Sequence, residues 1–138
     1  MRFRFITLAC LLLFAGITVT AQSKKTIRDK EITTQTVHEY FIEEGYKNPV
    51  VESIERYNED GDLLEIKVFN REGDIKQWEK YAYNRDREVV EEVHLDARGR
   101  VTRTEKNIYE DGLRVEKQFY NQKGKLYKKK VYEYDYRQ

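Results

Sequence analysis

Apolar and aromatic residues alternate with charged ones in short runs, and glycine-containing polar segments separate the runs. The alternation predicts strands at roughly 33–42, 50–57, 63–69, 75–83, 89–95, 101–109, 113–120 and 126–134. One unit recurs: an aromatic or apolar residue, Asn or Asp, two residues, Gly, one residue, then Leu, Ile or Val. Tyr57-Asn58 leads to Gly61 and Leu63, Phe69-Asn70 to Gly73 and Ile75, Leu95-Asp96 to Gly99 and Val101, and Tyr120-Asn121 to Gly124 and Leu126. Gly supplies the positive φ that hairpin turns demand, and Asn tolerates the left-handed region, so each unit reads as one strand and one turn. The expectation is an all-β antiparallel meander of about eight strands, as an open twisted sheet rather than a closed barrel.

Two copies deviate. Tyr83-Asn84 has Arg87 where Gly belongs, and Tyr109-Glu110-Asp111-Gly112-Leu113 is shorter. Phe41 to Gly45 reads as a degenerate first copy. Thr36 with Glu39 also fits a capping box and Gly45 a helix stop, so residues 36–44 are open to strand or helix, with strand favoured by the repeat.

If the aromatic of each unit pairs with the apolar residue after its turn, Tyr57 lies opposite Leu63, Phe69 opposite Ile75, Tyr83 opposite Val89 and Leu95 opposite Val101. Extending that register without interruption places Ile54, Ile66, Trp78 and His94 in one row, with Leu64, Val68, Ala82 and Val90 nearby, as the candidate core. It also places Glu55, Glu65 and Glu79 side by side on a wetter face. Lys67, diagonal to Glu55 and Glu79, would relieve their repulsion, in preference to a bound Ca²⁺, for which no loop motif is present.

Tyr81-Ala82-Tyr83-Asn84, Asp96-Ala97-Arg98-Gly99-Arg100-Val101-Thr102 and Tyr132-Glu133-Tyr134-Asp135 resemble the tyrosine-aspartate (YD) repeats of bacterial Rhs-type proteins and of short secreted proteins built of related units. The resemblance spans residues 50–135. It implies a hairpin array, which in the large family members forms a shell around another part of the polypeptide. About three double repeats are too few to enclose anything, and the resemblance implies no catalytic residues.

Composition adds a compartment. Arg2 and Arg4, the apolar stretch Phe5–Val19 and Val19-Thr20-Ala21 before Gln22 have the layout of a cleaved secretory signal over residues 1–21, leaving residues 22–138 as a single β-repeat domain exported to the periplasm or beyond. Leu8-Ala9-Cys10 is a poor version of a lipidation motif, because Thr7 stands where Leu is wanted. Without the leader no thiol remains, which excludes disulfides and thiolate chemistry. The expected mature chain carries 24 Lys and Arg against 25 Asp and Glu, a balance unlike that of a nucleic-acid binder. It has 17 Val and Ile and 11 Tyr but only two Ala, which favours strands, and its 25 Val, Ile, Leu and Phe predict a thin core.

Charge is uneven along the chain. Residues 39–74 hold 4 basic and 11 acidic residues, whereas residues 98–130 hold 11 basic and 4 acidic. In a meander, position in sequence becomes lateral position in the sheet. One end is therefore acidic and the other basic, with Lys123, Lys125, Lys128, Lys129 and Lys130 concentrated in the last hairpin. These lysines suit docking to an envelope protein or an anionic glycan or lipid surface, or weak head-to-tail self-association. The preferred reading of the same lysines is that they guard the edge against strand addition by other chains. Trp78, with His94 and Ile66 in its row, offers an alternative: a carbohydrate-stacking platform. With two histidines, two serines after the leader, and carboxylates at regular strand positions, nothing singles out a catalytic constellation. The reading is a non-catalytic binding or interaction protein with no metal and no cofactor.

Overall fold

In the computed structural model, residues 23–42 and 48–137 are described; the expected leader, Cys10 and Gly45 lie outside them. A short helix, α1 (Lys24–Asp29), precedes eight strands: β1 (Thr34–Glu39), β2 (Val50–Tyr57), β3 (Leu63–Phe69), β4 (Ile75–Tyr83), β5 (Val89–Leu95), β6 (Val101–Glu110), β7 (Leu113–Asn121) and β8 (Leu126–Val131). Every strand pairs antiparallel with the next, giving one sheet in the order β1 to β8 that does not close into a barrel. The expected all-β open meander is thus what forms, and Thr36–Glu39 belongs to a strand.

The repeat unit has a physical explanation that differs from the expected one. In the turn after β2, Asn58 and Asp62 pair through Asn58 N–H to the Asp62 carbonyl, and Gly61 N–H donates to the Asn58 carbonyl. That is a three-residue loop with Gly61 in the left-handed region at φ 77°. The asparagine is not there for a left-handed backbone: its Oδ1 accepts the Asp62 N–H at 2.8 Å. Asn70, Asn84, Asp96 and Asn121 do the same four residues on, at 2.7 to 3.0 Å. Arg87 takes the glycine's place with φ 64°, and the shorter copy is a two-residue turn with positive φ at both Asp111 and Gly112.

The tyrosines also have a repeated task. The Tyr83 hydroxyl donates to the Leu63 carbonyl, Tyr109 to Val89 and Tyr134 to Arg114, each reaching back 20 residues. These bonds cross strands and stiffen a sheet that has little apolar packing. Burial pushes the Tyr83 hydroxyl up to about 12, so it stays a donor throughout the neutral range.

The pairs Tyr57 with Leu63, Phe69 with Ile75, Tyr83 with Val89 and Leu95 with Val101 form as expected. One residue further into each strand a bulge shifts the register, and this overturns the expected rows. Ile54 faces Lys67, which faces Trp78. Ile66 instead stands between Glu55 and Glu79, and Glu79 faces His94, which faces Arg103. Trp78 and Glu79 are neighbours on β4 and leave it in opposite directions. The sheet therefore has a front face with Glu55, Ile66, Glu79, His94 and Arg103, and a back face with Ile54, Lys67 and Trp78. Glu65 is on the back face, so the three glutamates are not side by side. Of the expected core, Leu64 and Ala82 are exposed.

Among the described residues the buried hydrophobic ones are few: Ile27, Tyr57, Ile66 and Phe119. Ile27 belongs to α1, which the sequence reading missed because six residues with one apolar position carry no helical period. Its signal is the N-cap, where Ser23 Oγ accepts the Thr26 N–H at 3.2 Å. The helix backbone rests on the β2–β3 turn, so a Cβ on Gly61 would lie 2.4 Å from the Lys24 carbonyl oxygen, whereas one on Gly73 meets nothing within 4 Å. Both glycines have positive φ, so this pair separates backbone strain from docking of α1. Gly73→Ala should cost ~1 kcal/mol and Gly61→Ala at least twice that, read from denaturant midpoints; equal losses would mean that α1 contributes nothing to stability.

Candidate interaction surface

The front face carries a chain of charged and polar groups in place of an apolar core. The Tyr57 hydroxyl donates to Glu55, and the Tyr81 hydroxyl to Glu79 at 2.5 Å. Glu79 Oε1 also lies 3.0 Å from His94 Nδ1, and His94 Nε2 lies 3.5 Å from Glu105 Oε1. Lys117 Nζ then reaches Glu105 at 2.5 Å and Glu92 at 3.2 Å, and Asn107 Nδ2 donates to Glu92 at 3.3 Å. Arg103 Nε sits 2.8 Å from Glu105, out of line for a hydrogen bond. Burial alone would raise the Glu105 carboxyl, but the Lys117 hydrogen bond and the charges of Lys117, Arg103 and His94 outweigh it and hold the group below its ordinary value. Burial would likewise lower the Lys117 ammonium, and its two glutamates raise it instead.

Glu92, His94 and Glu105 bring three donor atoms within 4.8 Å of one another, a spacing that would suit a divalent cation. The Lys117 ammonium already stands between both carboxylates, so a metal would have to displace a half-buried, doubly paired lysine. The expected row of Glu55, Glu65 and Glu79 does not form, so Lys67 has no such repulsion to relieve; Glu55 and Glu79 are bonded by Tyr57, Tyr81 and His94 instead.

Lys67 has another place. Its Nζ lies 4.0 Å from the centre of the Trp78 ring, the Trp78 Nε1–H donates to Glu65 at 2.6 Å, and the far edge of the indole lies 3.3 Å from where a Gly99 Cβ would be. Trp78 and His94 emerge on opposite faces, and Ile66 is on the His94 side, so the three expected platform residues do not form one aromatic surface. A shallow cavity of about 560 Å³ near the β5–β6 and β7–β8 turns has Glu79, His94, Arg103, Asn121 and Tyr127 among its lining residues, and Trp78 contributes to its wall.

The five lysines of the last hairpin separate in the same way. Lys128 and Lys130 are on the front face, facing Phe119 and Lys117 across β7. Their Nζ atoms lie 4.3 and 5.8 Å from the centre of the Phe119 ring, and Tyr127 packs on that ring at 6.4 Å. Lys129 is on the back face, where it pairs with Glu116 at 3.2 Å. Lys123 and Lys125 belong to the turn, and their main-chain N–H groups bond Asn121. Among the described residues no carboxylate pairs with Lys123, Lys125, Lys128 or Lys130.

The residues that sequence reasoning missed are those joining distant repeats. Arg87 crosses to Asp62, with Nη2 3.0 Å from Oδ1, and Lys24 of α1 reaches the same oxygen at 2.9 Å. Asp62 is almost fully enclosed, yet the two cations outweigh burial and lower its carboxyl. The loss of Gly at position 87 was the visible signal. No family model matches this chain, and no curated protein or solved structure is detectably similar to it.

Proposed function

We propose that this is a non-catalytic, exported interaction protein whose sheet serves as a scaffold and whose basic end docks to an anionic partner at the cell envelope. What supports this reading is the front of the last hairpin. There Lys128 and Lys130 flank the Phe119 ring with no carboxylate of their own, whereas Lys117 on the same face is paired with both Glu92 and Glu105. Unpaired ammonium groups are available to phosphate, sulfate or carboxylate; paired ones are not. The interior carboxylates are bonded to tyrosines of their own strands and to His94 and Lys117 of other strands, a pattern suited to holding the sheet together. Stacking of a sugar on Trp78 has less support, because Lys67 stands over the ring.

The test uses vesicles with and without phosphatidylglycerol, and a sulfated glycan as a second arm that separates a lipid from a carbohydrate source. Binding to one of them at low salt and its loss at high salt are expected. Replacing both Lys128 and Lys130 with Glu should weaken it by more than ~10-fold, since each lysine near an anionic surface contributes ~1 kcal/mol. Binding that is unaffected by the double substitution, or absent from both arms, would refute the proposal.

A further inference from the structure

The two free edges of the sheet differ in charge and match in geometry. Hydrogen bonding fixes which way each edge points. Tyr132 N–H donates to the Val115 carbonyl and Tyr57 N–H to the Thr33 carbonyl, each at 3.0 Å. In an antiparallel pair, main-chain groups of alternate residues point to the same neighbour. Lys128 and Lys130, which pair with Phe119 and Lys117, therefore bond inward to β7, and the N–H and C=O groups of Lys129 and Val131 point out of the sheet. By the same alternation Gln35 and Val37 bond inward to β2, and those of Thr34 and Thr36 point outward.

Because the meander has eight strands, β8 runs opposite to β1. A second copy set beside the first without rotation presents its β1 antiparallel to the first copy's β8, which continues the existing alternation. Both strands have six residues. Placing Lys129 opposite Thr36 and Val131 opposite Thr34 sets outward groups against outward groups. It also keeps front with front, since Lys128 then faces Val37 and Lys130 faces Gln35. The part of the chain with the basic excess, +7 over residues 98–130, is thereby brought near the part with the acidic excess, −7 over residues 39–74, whose strands β2 and β3 stand next behind β1.

The lysines do not guard this edge. Lys129 is drawn back to Glu116, and Lys128 and Lys130 lie over Phe119, so all three ammonium groups contact their own sheet and leave the β8 main chain uncovered. All six residues of β8 are exposed.

We propose that copies of this protein add edge to edge, β8 of one pairing with β1 of the next, to form an open chain of continuous sheet. The contact is heterologous and does not close, so growth is limited by concentration and not by symmetry. It uses the main-chain edges and is separate from docking through Lys128 and Lys130, whose side chains remain on the front face.

Proline tests it, because an outward N–H is used only by the neighbouring copy. Sedimentation velocity of the purified protein over a range of concentrations, at ~0.01 M salt, should show species growing beyond a dimer, and ~1 M salt should weaken them. Lys129→Pro and Thr36→Pro should each abolish association, since either leaves only one competent edge. Mixed in equal amounts, they should form a dimer and nothing larger, joining the β8 of the Thr36→Pro chain to the β1 of the Lys129→Pro chain. A parent that stays monomeric at every concentration, a Thr36→Pro variant that still self-associates through two β8 edges, or a mixture that stays monomeric would each overturn the proposal. Val131→Pro provides a second block on β8, and circular dichroism checks that every variant folds. If none does, amide exchange of the parent decides: selective protection of Thr34, Thr36, Lys129 and Val131 on raising the concentration supports the contact, and unchanged exchange refutes it.

Discussion

Replacing Lys117 with Met is expected to destabilise the protein by ~3 kcal/mol at neutral pH, because it removes the cation between two carboxylates and leaves Glu105 in a nearly enclosed position. The side chain of Glu105 is only 7% exposed, so water cannot replace the lost ammonium there. Arg103 remains near but is badly aligned. Adding Glu105→Gln to Lys117→Met should restore part of the loss, since an amide is cheaper to bury than an unpaired carboxylate. The pair is read by denaturant unfolding at constant slope. If Lys117→Met alone were neutral, the charged chain on the front face would be a surface feature and not the interior that the sheet uses in place of apolar packing.

Asp62→Ala should cost about 2 to 4 kcal/mol, because one carboxylate fastens α1, the β2–β3 turn and the β4–β5 turn together. The loss is smaller than removal of a fully dry ion pair would give, since Lys24 and Arg87 both reach water. The pH dependence follows from the lowered Asp62 carboxyl. A carboxyl whose folded pKa lies below its unfolded one adds stability that is complete above the unfolded value, near 3.8 for Asp, and is lost as the pH falls through the folded value. Glu105 acts in the same direction from an ordinary value of 4.5. Stability should therefore fall steeply below pH ~4, and Asp62→Ala should show a shallower acid limb than the parent. Parallel acid limbs would mean that Asp62 is as easily protonated folded as unfolded.

The positions of β2 to β7, the antiparallel order and the open meander were all legible in the sequence. They depend on local chemistry: a glycine free to take positive φ, an Asn or Asp able to bond the main chain four residues on, and alternating residues between turns. Pairs next to each turn, such as Tyr57 with Leu63, were legible for the same reason. The separation of charge was also readable, because a meander converts sequence order into lateral position.

What lay beyond the first pair of each strand was decided only in three dimensions. A bulge one residue past the turn leaves no mark in the spacing of glycines, yet it shifts every later partner by one. It thereby separated Trp78 from His94, drew Ile66 between Glu55 and Glu79, and removed the row of glutamates. The links between distant repeats, Asp62 with Arg87 and Glu92 with Lys117, span 25 residues each and depend on the twist of the finished sheet. The sequence by itself determined where the turns fall and, to within a residue, where β2 to β7 begin and end, whereas β1 and β8 each stop three residues short of the expected 42 and 134. Tertiary structure alone decided which side chains share a face, because register accumulates across strands while each turn is specified by its own few residues.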